Sequence, residues 1–194
     1  MFMRIAHNKQ IFFDLSLIML GFLMMAFSSM ALGRQGVSVA SGIGVANIVP
    51  LRIGFQSEFE KHWCRDTRWP VGGYWEMSVY DMHTHKRVKP KSHRHLNAAA
   101  FAGVLRFEGN EPTFLGWPYL ELGIGVSWLS KKEIGGRDLG WHFQFEDRFG
   151  LGLRFGKNRE YDLSYRAIHF SNAYMGPCNH GINLHVLVLG YWFK

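Results

Sequence analysis

The feature that most constrains the fold of this 194-residue chain is a repeated two-residue alternation of apolar and polar side chains. Successive side chains of a β-strand point to opposite faces, so this period predicts strands with one apolar and one polar face. The clearest example spans residues 142–155. Its odd positions are apolar apart from one aspartate: Phe143, Phe145, Asp147, Phe149, Leu151, Leu153 and Phe155. Its even positions are polar residues and glycines: His142, Gln144, Glu146, Arg148, Gly150, Gly152 and Arg154.

One such strand fits either a soluble β-sandwich or a membrane barrel, because both have an apolar and a polar face. The same alternation recurs at residues 51–59, 120–128 and 162–167, and acids and arginines both occur on the polar faces. Mixed charges suit a closed interior that holds ion pairs. The chain is 15% aromatic and only 19% charged, which is typical of a barrel that faces lipid.

We therefore predict a single all-β domain, an eight-stranded antiparallel up-and-down transmembrane β-barrel. Eight strands make a barrel filled by its own side chains, so no pore is expected. The predicted strands are 36–46, 50–60, 71–82, 95–107, 117–129, 140–155, 160–171 and 182–193. The last strand is apolar on both faces, and the pattern offers no explanation for its inward face.

The two ends of the chain point to export and to the bacterial outer membrane. Residues 1–33 contain basic residues, an apolar stretch and then small residues, which predicts a signal peptide that is removed and leaves a barrel domain of residues 34–194. The alternative is a retained transmembrane helix over residues 11–32, which Asp14 interrupts. The final segment, 190–194, is similar to the aromatic-ended last strand of outer-membrane barrels, with Lys194 as an extra residue.

Net charge indicates the kind of partner, and the positions of the two cysteines indicate the state of their thiols. The net charge of +7 comes with no nucleic-acid recognition motif, and an exported protein has no access to nucleic acid, so an anionic lipid surface is the expected partner. Cys64 and Cys178 fall at opposite ends of the predicted barrel, which predicts two unpaired thiols.

Residues 83–95 form a predicted outer loop that is rich in histidine, lysine and arginine. Positive charge at this surface would meet the phosphates of lipopolysaccharide. Two alternatives remain: a solvated basic loop without a ligand, and a metal site built from the four histidines.

His169 and Ser171 are the candidate catalytic residues from strand position alone. They lie two residues apart, so their side chains share one face, within reach for a base and a hydroxyl nucleophile. By parity this face is the outward one, where polar side chains are costly without a function. A tilted strand that starts near Asp162 reaches Ser171 after roughly 20 to 25 Å of membrane height, near the ester linkages of the outer leaflet.

Several segments together resemble one family. They are His169-Phe170-Ser171-Asn172-Ala173, Asn179-His180-Gly181-Ile182, Gly73-Tyr74-Trp75, Leu122-Gly123-Ile124-Gly125-Val126 and Phe145-Glu146-Asp147-Arg148-Phe149-Gly150. Over essentially the whole mature chain, the sequence is similar to the lipid A 3-O-deacylase family, PagL.

The resemblance implies an eight-stranded outer-membrane barrel with a Ser-His-Glu triad on its outer wall. Such an enzyme cleaves the ester-linked 3-hydroxyacyl chain at the 3-position of lipid A, without metal or cofactor, and the family suggests a homodimer. Ser171 would be the nucleophile and His169 the base. Asn172 would help shape the oxyanion site, and Asn179 matches a further active-site position.

One position departs from the family pattern. Where the pattern has the triad glutamate, this chain has Asn183. An amide can orient an imidazole but cannot offset the charge of an imidazolium as a carboxylate does. Asp147 is the candidate substitute, because a turn over residues 156–160 would set it opposite His169 on the same face. The alternative is that Asp147 only orients a loop or pairs with Arg148.

Two further functions stay open at this point. The loss of the glutamate could have ended catalysis and left a structural or lipopolysaccharide-binding barrel. The chain could also be another outer-membrane enzyme that handles acyl chains, such as a phospholipase or acyltransferase, and share only the architecture.

Overall fold

The computed structural model describes residues 33–60, 62–85 and 92–193. Nearly all of the predicted signal peptide and the centre of the basic loop, residues 86–91, lie outside the described residues. The strands are β1 Gln35–Gly44, β2 Ile48–Glu58, β3 Val71–Thr84, β4 His95–Glu108, β5 Trp117–Leu129, β6 Glu133–Ile134, β7 Arg137–Asp138, β8 Phe143–Phe155, β9 Tyr161–Ser171 and β10 Ile182–Phe193. A short 3-10 turn, Val45–Asn47, joins β1 to β2.

The eight long strands close into one antiparallel barrel in the order β1-β10-β9-β8-β5-β4-β3-β2. Each strand pairs with its chain neighbours, and β1 pairs with β10 to complete the cylinder. This confirms the predicted fold. The small hairpin of β6 and β7 was not predicted, and it lies in the connection between β5 and β8. We call the end that carries this connection and residues 172–181 the loop end, and the opposite end the turn end.

The outer face of the barrel is apolar. Large apolar side chains on it are about half exposed, including Val39, Ile53, Met77, Val79, Leu122, Leu151, Leu187 and Leu189. A sandwich would bury this face, whereas here the polar face is enclosed and the apolar one points outward, as lipid requires. The structure is therefore a transmembrane barrel.

Among the described residues, none lies in a helix that is both long and apolar enough to cross a bilayer.

The middle and the turn end of the interior hold a network of buried ion pairs. Arg106 Nη2 lies 3.2 Å from Glu121 Oε2 and 3.1 Å from Asp162 Oδ2. Arg166 Nε lies 2.6 Å from Glu121 Oε1. Three further pairs join Arg52 and Arg148 to Glu76, and Arg148 to Glu146. The predicted charge-paired interior is confirmed.

The loop end of the interior is apolar instead, which explains the last strand. The inward residues of β10, Ile182, Leu184, Val186 and Val188, belong to a buried apolar cluster there. Ile134 and Leu139, from the connection between β5 and β8, are fully buried in the same cluster. This connection therefore plugs the barrel, and the inward face of β10 is apolar because it packs against the plug.

The two cysteines are free, as predicted. Cys64 lies at the turn end between β2 and β3, and Cys178 lies at the loop end between β9 and β10.

Candidate active site

His169 lies on the outer wall between two polar neighbours on adjacent strands. Asp147 of β8 is its direct partner on one side, and Asn183 of β10 is its direct partner on the other. The predicted register between Asp147 and His169 is therefore found. All three side chains point away from the interior, since their neighbours Glu146, Ile168 and Leu184 are buried.

A hydrogen bond sets the tautomer of His169. The imidazole Nδ1 lies 2.5 Å from Asn183 Oδ1. An amide oxygen can only accept, so Nδ1 carries the hydrogen and donates it. In the neutral ring the other nitrogen, Nε2, then has a free lone pair and can act as a base.

Ser171 ends β9 on the same outward face as His169, where its partner on β8 is Phe145. The serine is 8% exposed and lines the same surface groove as His169. The contacts of the described residues include no hydrogen bond from Ser171 Oγ to the imidazole. Hydrogen bonds between catalytic groups are often long in an enzyme without substrate and tighten when substrate binds.

Asn172, which the resemblance implied would help shape the oxyanion site, points into the loop end of the barrel. Its side chain is fully buried, and Nδ2 donates to the carbonyl oxygens of Leu139 at 2.9 Å and Cys178 at 2.6 Å. Its backbone N–H donates to Asn179 Oδ1 at 3.1 Å. Asn172 therefore ties the loop after β9 to the plug, and its amide does not line the groove. Strand parity could not reveal this, because Asn172 lies just beyond the end of β9.

Asn179, which the resemblance matched to a further active-site position, lines the groove. Its Oδ1 accepts the bond from Asn172, so the orientation of its amide is fixed. With the oxygen engaged, Nδ2 is the end of the side chain that can donate to a substrate oxygen.

The hairpin of β6 and β7 braces the loop that carries Asn179. Arg137 Nε donates to the carbonyl oxygen of Gly181 at 2.7 Å, and Arg137 Nη2 donates to that of His180. The backbone N–H of Asp138 donates to His180 Nδ1 at 3.1 Å. Gly135 and Gly136 have φ angles of 59° and 84°, so the paired glycines between two short polar runs were an available signal of a tight hairpin.

The groove that Ser171 and His169 line is large and mainly apolar, with a volume of about 1240 Å³. At the loop end its walls include Tyr174, Asn179 and Gly181. It continues over the outer surface past Phe145 and Phe149 toward β4 and β3. A groove of this kind can hold a hydrocarbon chain next to the serine.

Part of the predicted basic loop lies within the described residues. His83 packs near His85 and His95, with ring centroids 5.7 and 6.0 Å apart. Glu133 accepts hydrogen bonds from Ser92 Oγ at 2.7 Å and from the backbone N–H of His93 at 2.9 Å. The residues that the structure describes hold no group of three or more histidines, cysteines or acids placed to bind one metal ion.

Comparison with known proteins agrees with this architecture. The lipid A deacylase PagL of Pseudomonas aeruginosa is 30% identical over 151 residues, which is 78% of this chain and 82% of that protein. The lipid A deacylase PagL of Bordetella bronchiseptica is 34% identical over 86 residues, 42% of this chain and 47% of that protein.

A solved structure is similar as well. The crystal structure of the outer membrane enzyme PagL superposes with a TM-score of 0.72 at 28% identity, covering 80% of this chain and 98% of that one. The model of the lipid A 3-O-deacylase (PagL) family matches residues 49–192. This chain therefore belongs to the lipid A 3-O-deacylase (PagL) family.

Proposed function

We propose that this protein is an outer-membrane serine esterase that removes the 3-hydroxyacyl chain from the 3-position of lipid A. The observation that carries the proposal is the pair formed by His169, held by Asn183, and Ser171 beside it at the head of a lipid-facing groove. Membership of the family supports lipid A as the substrate. The homodimer that the resemblance implies stays a prediction.

The position of the site suits an ester that never leaves the bilayer. Ser171 is the last residue of β9, at the loop end, and further down the same outward face Tyr165 and Leu163 belong to the apolar band of the wall. The sugar headgroup can then lie against the loops while the acyl chain stays at hydrocarbon depth.

In the first step, Ser171 Oγ attacks the carbonyl carbon of the ester, and His169 Nε2 takes the hydroxyl proton. The tetrahedral intermediate collapses as the bond from carbon to the sugar oxygen breaks. His169 returns the proton to that oxygen, so the sugar leaves with a free hydroxyl and the acyl group stays on Ser171.

In the second step, water attacks the acyl-enzyme while His169 Nε2 accepts one of its protons. Collapse of this intermediate breaks the bond to Ser171 Oγ, which regains the proton from His169. The products are a free 3-hydroxy fatty acid and the original enzyme, and no cofactor is consumed.

Asn179 is the donor that we assign to the oxyanion. Asn179 lines the groove, and the bond from the Asn172 N–H to its Oδ1 leaves Nδ2 free to donate. A donor held in place before the reaction stabilises the developing negative charge without reorganisation.

In this proposal two residues share the roles of a triad carboxylate: one orients the imidazole, and the other stabilises its positive charge. Asn183 holds the tautomer and orientation of His169 through the bond to Nδ1. Asp147, on the opposite side of the same ring, supplies the negative charge that stabilises the imidazolium while it carries the serine proton. This division explains how a chain that lacks the glutamate keeps a working base.

The second candidate is a barrel that binds lipopolysaccharide without cleaving it, and Asn183 is the observation that favours it. Mass spectrometry of lipid A from cells that express wild type or Ser171→Ala separates the two. Loss of one 3-hydroxyacyl mass only with wild type is the expected result. Identical lipid A from both strains would overturn the esterase proposal.

A further inference from the structure

The groove follows a row of residues that crosses the barrel wall from strand to strand. His169 is paired with Asp147, Asp147 with Ile124, Ile124 with Gly103, and Gly103 with Trp75. All five residues line the groove. The groove therefore runs across β9, β8, β5, β4 and β3 instead of straight down one strand.

The far end of this row is closed by a fixed aromatic wall. Trp75 is 9% exposed although it lies on the outward face, where Met77, two residues along, is 59% exposed. Its ring stacks on Phe101 at 5.3 Å and meets the edge of Phe59 at 5.4 Å. Phe59 also contacts Trp63, in the connection before β3. An indole packed on several sides cannot easily move aside for a ligand.

Gly103 leaves a gap directly before that wall. It lies between Ile124 and Trp75 in the row and has no side chain. Its neighbours on the outward face of β4, Phe101 and Leu105, both have large side chains. Among the five residues of the row only Gly103 lacks a side chain, so any side chain placed there would shorten the groove.

The length of the row suits an acyl chain. Four spacings between neighbouring strands, each about 4.8 Å, separate His169 from Trp75 by roughly 19 Å. An extended alkyl chain advances roughly 1.25 Å per bond, so about 12 to 15 carbons fill this length. The row also descends, because His169 lies near the loop end of β9 and Trp75 near the turn end of β3. A chain in the groove would thus run from the ester into the hydrocarbon core.

We infer that Trp75 and Gly103 set the longest acyl chain that the enzyme cleaves. The inference rests on the proposed function, since the groove measures a chain only if its carbonyl lies at Ser171. Lipid tails are as apolar as the groove, so the groove gains little from burying a chain. Selection is steric instead. If the end of a long chain meets Trp75 before its carbonyl reaches Ser171 Oγ, the ester cannot react.

The test uses the purified barrel in detergent micelles and glucosamine phosphates that carry a single 3-O-acyl chain of about 6 to about 18 carbons. Wild type should cleave all chains up to about 12 to 15 carbons with similar kcat/KM and show a steep fall in kcat/KM beyond that limit. Gly103→Leu should move this upper limit shorter by about four carbons, because the leucine fills the gap before the wall. Trp75→Ala should move it longer by a similar amount.

Ala99→Leu is the matched control. Ala99 lies on the outward face of the same strand and is exposed, but it does not line the groove. Its chain-length profile should equal that of wild type. Folding of each variant is checked by the heat-dependent gel mobility of the barrel. If Gly103→Leu does not fold, Gly103→Ala and Trp75→Ala decide the question.

Failure of the chain-length inference and failure of the proposed function give different results. If wild type and the folded Gly103 and Trp75 variants share one profile, the chain-length inference is wrong and the esterase stands. If wild type cleaves no chain at any length, or Ser171→Ala cleaves as well as wild type, the proposed function fails and the inference fails with it.

Discussion

Glu146 and Asp147 are neighbours in the sequence, yet one belongs to the barrel interior and the other to the outer wall. Glu146 is fully buried, pairs with Arg148 and accepts a hydrogen bond from Tyr80 Oη at 2.9 Å. Asp147 points outward beside a single imidazole, that of His169. The interior acid is paired with an arginine, whereas the proposed mechanism has the outer acid face an imidazole that gains its charge during the reaction. One strand thus supplies a structural carboxylate and, in the proposed function, a catalytic one.

The largest expected effect on activity comes from a substitution on the outer wall. Ser171→Ala should lower deacylation by roughly 10⁴-fold or more, because no other hydroxyl replaces the nucleophile. Ser164→Ala is the interior control, since Ser164 lies inward on the same strand and is buried. Release of the 3-hydroxy fatty acid is measured for both variants. Equal activity of the two variants would show that the outward serine is no more important for deacylation than the inward one.

Glu146→Gln should instead weaken the fold. The change leaves Arg148 and Arg52 short of a buried partner charge, and breaking a buried pair costs about 3 to 5 kcal/mol. The measurement is denaturant-dependent unfolding of the barrel in lipid vesicles. Unchanged stability would show that the remaining carboxylate, Glu76, balances both arginines alone.

Asp147→Asn should leave stability close to that of wild type and lower kcat by about 10- to 100-fold, because the imidazolium loses its partner charge. The loss should shrink in an Asn183→Glu background, where a carboxylate already faces Nδ1, and a double-mutant cycle measures that coupling. The division of tasks is wrong if Asp147→Asn has no effect on deacylation while Asn183→Ala abolishes it.

The smallest effect concerns the loops. Burial tends to raise the pKa of Glu133, but hydrogen bonds from the His93 N–H, Ser92 and the Gly136 N–H outweigh it, so the pKa lies below its usual value. The ionised Glu133 therefore stabilises the loop fully at any pH above the pKa of a glutamate in the unfolded chain. This stabilisation is lost as the pH falls through the lower pKa that Glu133 has in the folded protein. The protection of the His93 and Gly136 amides, measured as the exchange rate relative to that of an unstructured peptide at the same pH, should fall at acid pH in wild type.

Glu133→Gln should show the faster exchange already at neutral pH and lower deacylation by no more than about threefold, since the loop only braces the site. Exchange that stays slow in Glu133→Gln would mean that the carboxylate charge does not order this loop.

Much of the barrel and part of the site follow from local rules. The alternation of residues 142–155 identified both faces of β8, because side-chain direction in a strand depends only on parity. The same parity placed His169 and Ser171 together on the wall. The short turn after β8 then set Asp147 opposite His169, because a tight turn transmits register along the whole hairpin.

Other features depend on segments that are far apart in the chain. The apolar inner face of β10 makes sense only with Ile134 and Leu139 packed against it. The buried amide of Asn172 is held by Leu139, which belongs to a different loop. The sequence by itself therefore determined the strands, their faces and the local pairing, because these follow from the geometry of successive residues. Only the closed barrel decided the plug, the role of Asn172 and the row that ends at Trp75, because each joins residues that packing alone brings together.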